Sequence, residues 1–238
     1  MPVQRKPSIV VLTGSGISKE SGLDTFRDPD GIWAKVKIED VATPEAFVRD
    51  PDRVHEFYNA RRRSLLSGKV APNAAHLALA ELERHYPGEV LIVTQNIDNL
   101  HEWAGSRNLI HMHGEILKAR CGSCLDVRER LGDLGRAESC PACGAIGTLR
   151  PHVVWFGEMP LWLDEIMAAC ESCRLFVAIG TSGAVYPAAG LVAQVRGHAH
   201  TVELNLEPSL VRGQFAEAIH GPAGQIVPEF VARILNAP

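Results

Sequence analysis

The chain has 238 residues, of which 46% are hydrophobic and 22% charged, the usage of a folded globular protein and not of a disordered or fibrous one. At about 150 residues per domain this length corresponds to roughly 1.6 domains, one substantial domain with a smaller annex. The 24 Lys and Arg against 28 Asp and Glu give a formal charge of −4, without the basic field that general nucleic-acid binding requires.

Arg5 and Lys6 precede the apolar run Ile9-Val10-Val11-Leu12, a superficial likeness to a secretion signal. Four apolar residues fall short of the about 7–15 in such a signal, and Gly14-Ser15-Gly16 ends the run. Residues 8–13 instead read as a buried parallel strand, rich in β-branched side chains. Residues 35–67 are helix-rich, with a helix expected over 52–66 and no strand. A helix over 73–86 sets Ala74, Leu77, Ala78, Ala80 and Leu82 mostly on one side and stops at Pro87-Gly88. A second strand covers 90–94. Residues 116–150 hold four cysteines, several glycines and little apolar periodicity, and read as an insertion.

Beyond it come a helix over 161–173, a strand over 175–179, a helix over 187–195, a strand over 201–204 and a helix over 227–235. Strand–helix alternation of this kind predicts an α/β fold, a Rossmann-like parallel sheet with helices on both faces, joined by right-handed crossovers. Runs such as 175–179 are far shorter than the ~18–20 apolar residues of a spanning helix. A cytoplasmic protein is therefore expected, with reduced cysteines whose spacing is read for metal before disulfides.

Cys121-x2-Cys124 and Cys140-x2-Cys143, fifteen residues apart, match the spacing of a four-thiolate zinc site. Four thiolates close a tetrahedral shell and leave no position for water, so the expected role is one structural zinc ion. A third pair, Cys170-x2-Cys173, ends a predicted helix instead of opening one, and reads as buried structural cysteine.

The first strand opens into Gly14-Ser15-Gly16, where glycines would let backbone amides approach a pyrophosphate at a helix N-terminus. The run departs from G-x-G-x-x-G, since the next glycine is Gly22, and no acidic residue ends a second strand about twenty positions on. Alone it is also compatible with a structural turn. Polar turns end other strands too: Gln95-Asn96-Ile97-Asp98, Gly180-Thr181-Ser182-Gly183 and Asn205-Leu206-Glu207. Ligands of open parallel sheets bind beyond the carboxyl ends of the strands, where these turns converge.

Gly14-Ser15-Gly16-Ile17-Ser18, Gly22-Leu23-Asp24-Thr25-Phe26-Arg27, Gln95-Asn96-Ile97-Asp98, His113-Gly114, the two cysteine pairs, Phe156-Gly157-Glu158, Gly180-Thr181-Ser182 and Asn205-Leu206-Glu207 stand in sirtuin order. Over essentially its full length the chain resembles the sirtuin family of NAD-dependent protein-lysine deacylases, with Ser15 where that family usually carries Ala. The resemblance implies a discontinuous NAD-binding domain (1–34, 72–114 and 151–238), a helical insertion with the acyl pocket (35–71) and a zinc-binding insertion (115–150). In the reaction it implies, the acyl-lysine oxygen attacks the ribose carbon that nicotinamide leaves, and a histidine then takes a proton from a ribose hydroxyl. The acyl group ends on ADP-ribose.

Carried onto this chain, the base is His113, whose imidazole suits proton abstraction near neutral pH. His111, two residues earlier on a strand, would share its face. Asn96 and Asp98 are the implied catalytic partners, holding the nicotinamide carboxamide and a water. Cofactor contacts are implied for Gly14, Ser15, Gly16, Ile17, Ser18, Gly22, Thr25, Phe26, Arg27 and Trp33, with Arg27 on the pyrophosphate side and Phe26 shielding the ribose. They extend through Gln95, Asn96, Ile97, Asp98, Gly180, Thr181, Ser182, Asn205, Leu206, Glu207 and Ala223. His55, His76, His85, His101, His198, His200 and His220 are read as packing or surface residues.

Tyr58 and Arg61, three apart on one helix face, could jointly address a ligand carboxylate, and Arg62 and Arg63 read as a solvated charge run. Tyr58, Arg61 and the small Ala42 are similar to the pocket of the sirtuin branch that removes succinyl and malonyl groups, so succinyl, malonyl and acetyl removal is expected. Protein substrates are expected to add as an extended strand beside Val154, Phe156, Gly157 and Glu158 and across from Val185 and Tyr186, with Phe156 in the lysine tunnel. No nucleic-acid or membrane partner and a monomeric state are expected. Three other readings stay open: an NAD dehydrogenase, a non-catalytic zinc-ribbon module and an ADP-ribosyl transferase.

Overall fold

The computed structural model of the protein describes residues 6–26 and 31–237. In chain order the strands among them are β1 (Lys6–Thr13), β2 (Gly88–Thr94), β3 (Leu109–His111), β4 (Gly114–Cys121), β5 (Val127–Glu129), β6 (Leu149–Val153), β7 (Leu175–Ile179), β8 (His200–Asn205) and β9 (Glu217–His220). Six form one sheet in the order β3-β2-β1-β7-β8-β9, with every neighbouring pair parallel. The chain winds outward from β1 through β2 and β3, then resumes on its other side with β7. The boundary between β1 and β7 is thus the topological switch point, where a crevice opens beyond the carboxyl ends of the strands.

Both faces of β1 are buried, which is why it reads as an unbroken apolar run. Ile9 and Val11 face the helices Ala74–His85 and Ala223–Leu235, while Val10 and Leu12 face Leu163–Ser172 and Leu191–Val195. The Asn73 side chain caps the first of these helices by accepting from the Ala75 amide. Its core face is Ala75, Ala78, Leu79 and Leu82, and Leu77, expected to point inward, is exposed. Cys170 and Cys173 pack in the second cluster, and burial pushes the Cys170 thiol up to about 12.

Three expectations are corrected. The turn after β1 enters a 3₁₀ segment, Ser15–Ser21, and not an α-helix. The region read as one helix over 187–195 is a 3₁₀ turn, Ala188–Gly190, followed by the short helix Leu191–Val195. The last helix begins at Ala223, four residues before its apolar periodicity becomes visible.

β4, β5 and β6 form a separate antiparallel sheet in the order β5-β4-β6. β4 and β6 run across the expected boundaries at 114/115 and 150/151, so the chain passes between layers inside continuous strands. The helix Pro51–Leu65 packs Val54, Phe57, Tyr58 and Leu65 against Ile116, Leu117, Val153 and Trp155 of this region. Arg62 corrects a further expectation: it is not solvated but fully buried, donating to Ile116 O at 3.0 Å and to Asn59 Oδ1 at 2.8 Å. Asn59 in turn bonds both the amide and the carbonyl of Leu134. A buried guanidinium is tolerable only with such partners. Arg63 does lie at the surface, between Glu56 and Asp133. No helix among the described residues is long and apolar enough to cross a membrane.

His76 and His101 are fully buried, their rings 5.0 Å apart, with His101 Nε2 3.0 Å from Thr13 Oγ1. Burial holds His76 down at about 4 and pushes His101 well below its ordinary value, so both are neutral in the folded state. Below pH 6.5 the unfolded chain binds protons that the folded chain refuses, so stability falls as pH falls from 6.5 toward 4. Between pH 6.5 and 5 the expected loss is about 1.6 kcal/mol for His76, with His101 acting in the same direction, read as a lower urea midpoint. A midpoint unchanged over that interval would contradict the neutral buried pair.

Candidate active site

The turn after β1 and the turn after β7 meet at the switch point. Gly14 N–H donates to Ile179 O at 3.0 Å and Gly16 N–H donates to Gly180 O at 2.9 Å. A Cβ on Gly16 would lie 2.7 Å from the Gly180 Cα, and one on Gly180 would lie 2.4 Å from the Ile17 nitrogen. These glycines therefore permit close approach of two loops. This corrects the expectation that the amides of Gly14 and Gly16 are turned to a ligand, since both are bonded within the protein. Asn205 braces the same place, accepting from Thr181 N–H and donating to Thr181 O.

Around this junction lies a cavity of about 940 Å³. Its walls bring together Gly14, Ser15, Gly16, Thr25, Phe26, Trp33, Ala42, Tyr58, Gln95, Asn96, Ile97 and His113. Val154, Phe156, Gly157, Glu158, Gly180, Thr181, Ser182, Val185, Tyr186, Asn205, Leu206, Glu207 and Ala223 complete the expected set on those walls. Ile17, Ser18, Gly22, Asp98 and Arg61 are not among the wall residues. Arg27 lies outside the described residues.

Asp98 and Ser18 stand behind the wall. The Ser18 hydroxyl donates to Asp98 Oδ2 at 3.1 Å, and Leu100 N–H donates to Oδ1 at 3.1 Å. Burial raises the Asp98 carboxyl above its ordinary value. Asn96 Nδ2 donates to Gly14 O and Ser18 Oγ, tying the loop after β2 to the loop after β1. Gly22 terminates the 3₁₀ segment in the left-handed conformation, φ +88°.

The two histidines do not act as a pair. His111 is buried, with Nδ1 against Asn96 O and Nε2 2.8 Å from Glu102. Burial alone would lower it, yet the Glu102 carboxylate outweighs that and leaves it raised. His113 turns Nδ1 to Gln95 O at 3.0 Å. A carbonyl only accepts, so Nδ1 carries the proton and Nε2 keeps its lone pair. Burial lowers the imidazole below its ordinary value, which keeps it neutral and basic at neutral pH.

At the far end, Trp33 lies between Phe26, Phe57 and Phe156, with ring centroids 5.4–6.1 Å away. The buried Tyr58 hydroxyl accepts from Trp155 Nε1 at 3.1 Å. Arg61 and Tyr58 are close enough to interact electrostatically, but the Arg61 guanidinium bonds elsewhere. It lies 3.3 Å over the Phe57 ring and donates to Phe57 O, and its buried Nε has no partner among the described residues. Burial lowers Arg61 to about 10, so it remains cationic at neutral pH. Glu158 reaches the wall, but its carboxylate is held by Arg150 at 2.6 and 2.9 Å and by the Trp155 amide. Burial would raise Glu158, but these partners hold it below the usual carboxylate range.

Comparison with known proteins bears on this geometry. The family described as "Sir2 family" matches residues 14–187. A protein named NAD-dependent protein deacylase from Escherichia coli K12 is 58% identical over 232 residues, covering 97% of this chain and 83% of that one. The chain belongs to the Sir2 family. A deacylase of the same name from Vibrio cholerae serotype O1 is 57% identical over 230 residues, covering 96% of this Sir2 chain and 94% of its own. A solved Sir2 homologue in complex with NAD superposes with a TM-score of 0.87 at 38% identity, over 97% of this chain and 90% of that one.

The Sir2 chain also gathers the four cysteines. Cys121 and Cys143 sulfurs are 3.8 Å apart, Cys124 and Cys140 sulfurs 3.7 Å apart, and all four lie within 4.8 Å of one another. With Zn–S bonds of about 2.3 Å a regular tetrahedron has sulfur–sulfur edges of about 3.8 Å. The donor set therefore fits one zinc ion. Amides of Ser123 and Cys124 point at Cys121 Sγ and that of Ala142 at Cys140 Sγ, as suits thiolates.

Sequence reasoning missed Trp155, Arg150, Lys19, Glu20 and Pro222. Trp155 and Arg150 stack at 3.3 Å and connect Glu158 to the Tyr58 hydroxyl, while the other three line the cavity. Lys19 and Glu20 directly follow the Gly14–Ser18 motif and could have been read from it, whereas Trp155 is placed by Tyr58, 97 residues away.

Proposed function

We propose that this Sir2 chain is an NAD-dependent protein-lysine deacylase that removes succinyl, malonyl and acetyl groups, giving nicotinamide and O-acyl-ADP-ribose. The observation that carries the reading is a single cavity joining the glycine junction at the switch point, the His113 imidazole and the Ala42–Tyr58 end. Its deacylase-named relatives support the same activity. Bound NAD supplies an electrophilic ribose carbon that exchanges nicotinamide for the acyl oxygen.

His113 accepts a ribose hydroxyl proton at Nε2, and the Gln95 carbonyl holds the tautomer that makes this possible. Asn96 orders the polar side of the reactive pocket and is itself braced by Gly14 and Ser18. Asp98 acts from behind, fixing Ser18 and the loop. Phe26, Trp33 and Phe156 exclude water from the reacting centre. Residues 35–71 then serve as the acyl-pocket insertion and 115–150 as the zinc-binding one. Cys121, Cys124, Cys140 and Cys143 would hold zinc as a structural clamp with no open coordination position.

Substrate lysines enter on an extended segment between Val154–Glu158 and Val185–Tyr186, pairing through backbone groups. Glu158 contributes there through its backbone, since its carboxylate is engaged by Arg150. Tyr58 offers its hydroxyl to a terminal acyl carboxylate. Arg61 reaches the same group by leaving Phe57 O, a neutral acceptor, for a charged one.

Mass spectrometry of acetyl-, malonyl- and succinyl-lysine peptides with and without NAD tests the reading directly: mass loss only with NAD supports it, and unchanged peptides refute it. His113→Ala should lower turnover by about 10²–10⁴-fold with an unchanged circular dichroism spectrum. Because His113 is lowered by burial, the acid limb of the kcat/KM profile, which reports the free enzyme, should fall below pH 6.5, and a midpoint above 6.5 would remove it as the base. Arg61→Met should raise KM for succinyl-lysine by at least about tenfold and spare acetyl-lysine; equal losses would dismiss the carboxylate clamp. Cys140→Ser should abolish stoichiometric zinc in a metal assay and lower the melting temperature, whereas full zinc content would exclude the thiolate site.

A further inference from the structure

We propose that Glu20 makes the site select NAD over its 2′-phosphorylated form, NADP, by filling with its own carboxylate the place where the extra phosphate would be held. The inference rests on the NAD reading above and on the course that reading imposes on the dinucleotide. The reactive ribose belongs beside His113 and the pyrophosphate beside the glycine junction. The adenosine half is left the remaining end of the cavity, walled by Asn205, Leu206, Glu207, Pro222, Ala223 and Glu20.

That end would ordinarily welcome a phosphate. The 13-residue helix Ala223–Leu235 starts on this wall, and helix N-termini attract anions through exposed amides and the positive end of the helix dipole. Here the position is taken. Glu20 Oε1 accepts from the Gly224 amide at 2.9 Å, and a Cβ on Gly224 would lie 2.6 Å from Glu20 Oε2, so the carboxylate rests against bare backbone.

Among the described residues, the charged side chains on this part of the wall are two carboxylates, Glu20 and Glu207, and one cation, Lys19. A 2′-phosphate would have to displace the Glu20 carboxylate or sit beside it, with Glu207 on the same end adding repulsion of like sign. Placing like charges together in a binding site is costly. In dinucleotide-binding folds, an acidic residue about twenty positions after the glycine motif bonds the ribose 2′-hydroxyl. No such residue ends a second strand in this chain. Glu20 supplies an acid from another quarter, on the 3₁₀ segment that follows the glycine turn.

Calorimetric titration of ADP-ribose and of 2′-phospho-ADP-ribose into the full chain and into Glu20→Gln tests the assignment. Gln keeps the shape and an acceptor for the Gly224 amide but removes the charge. The ratio of the two Kd values, phosphorylated over unphosphorylated, should fall on the order of tenfold, and Glu20→Ala should lower it as well. An unchanged ratio in Glu20→Gln overturns the proposal, including when both affinities drop together, because a merely structural cap serves both ligands alike. A fall confined to Glu20→Ala assigns the effect to the lost cap and overturns it too. Failure of the wild-type chain to bind ADP-ribose would instead refute the NAD reading on which the proposal stands.

Discussion

Gly14 and Gly16 after β1 lie so near Gly180 after β7 that no side chain fits between the two turns. Everything at the switch point follows from that contact. The turns are stitched by the amides of Gly14 and Gly16 to carbonyls of the opposite strand end, and Asn205 clamps Thr181 from the next strand. Asn96 then donates to the Gly14 carbonyl and brings the loop after β2 into the same assembly. Three loops from three parallel strands are thereby held as one rigid rim, and a rim of fixed width is what lets a cavity of defined shape persist.

A second set of bonds ties the helical insertion and the small sheet to this rim. Trp155 stands at its centre: its indole donates to Tyr58, its ring carries Arg150, and its backbone amide donates to Glu158. One turn further along the same helix, Arg62, with Asn59, holds Ile116 and Leu134, which lead into the cysteine cluster. The helix that carries Tyr58 is therefore bonded both to Trp155 and to the segment that holds the four cysteines. These contacts are buried and polar, where an unmet donor is expensive.

Much of the architecture was legible because its causes are local. A strand buried on both faces must be apolar throughout, so β1, β2, β7 and most of β8 announce themselves. Edge strands β3 and β9, three and four residues long, carry no such run. The cysteine spacing reported a shared centre, since two tight turns each aim their sulfurs at one point. Arg62 misled for a simple reason: three consecutive arginines look alike in sequence, and only the packing of Pro51–Leu65 decides which one is enclosed.

Strand–helix alternation was enough to predict the parallel α/β sheet, and the spacing within each cysteine pair the four-cysteine group, because each is written in neighbours a few positions away. Which polar groups meet, near or far along the chain, was settled only by folding. Asp98 stands behind the wall and not on it, Arg61 rests on Phe57, Glu158 is spent on Arg150, and Glu20 meets a helix start 204 residues later. Periodicity tells which face of an element is buried. Which partner then awaits a polar group is determined by the packing of distant segments, where the need to satisfy each buried charge selects one arrangement.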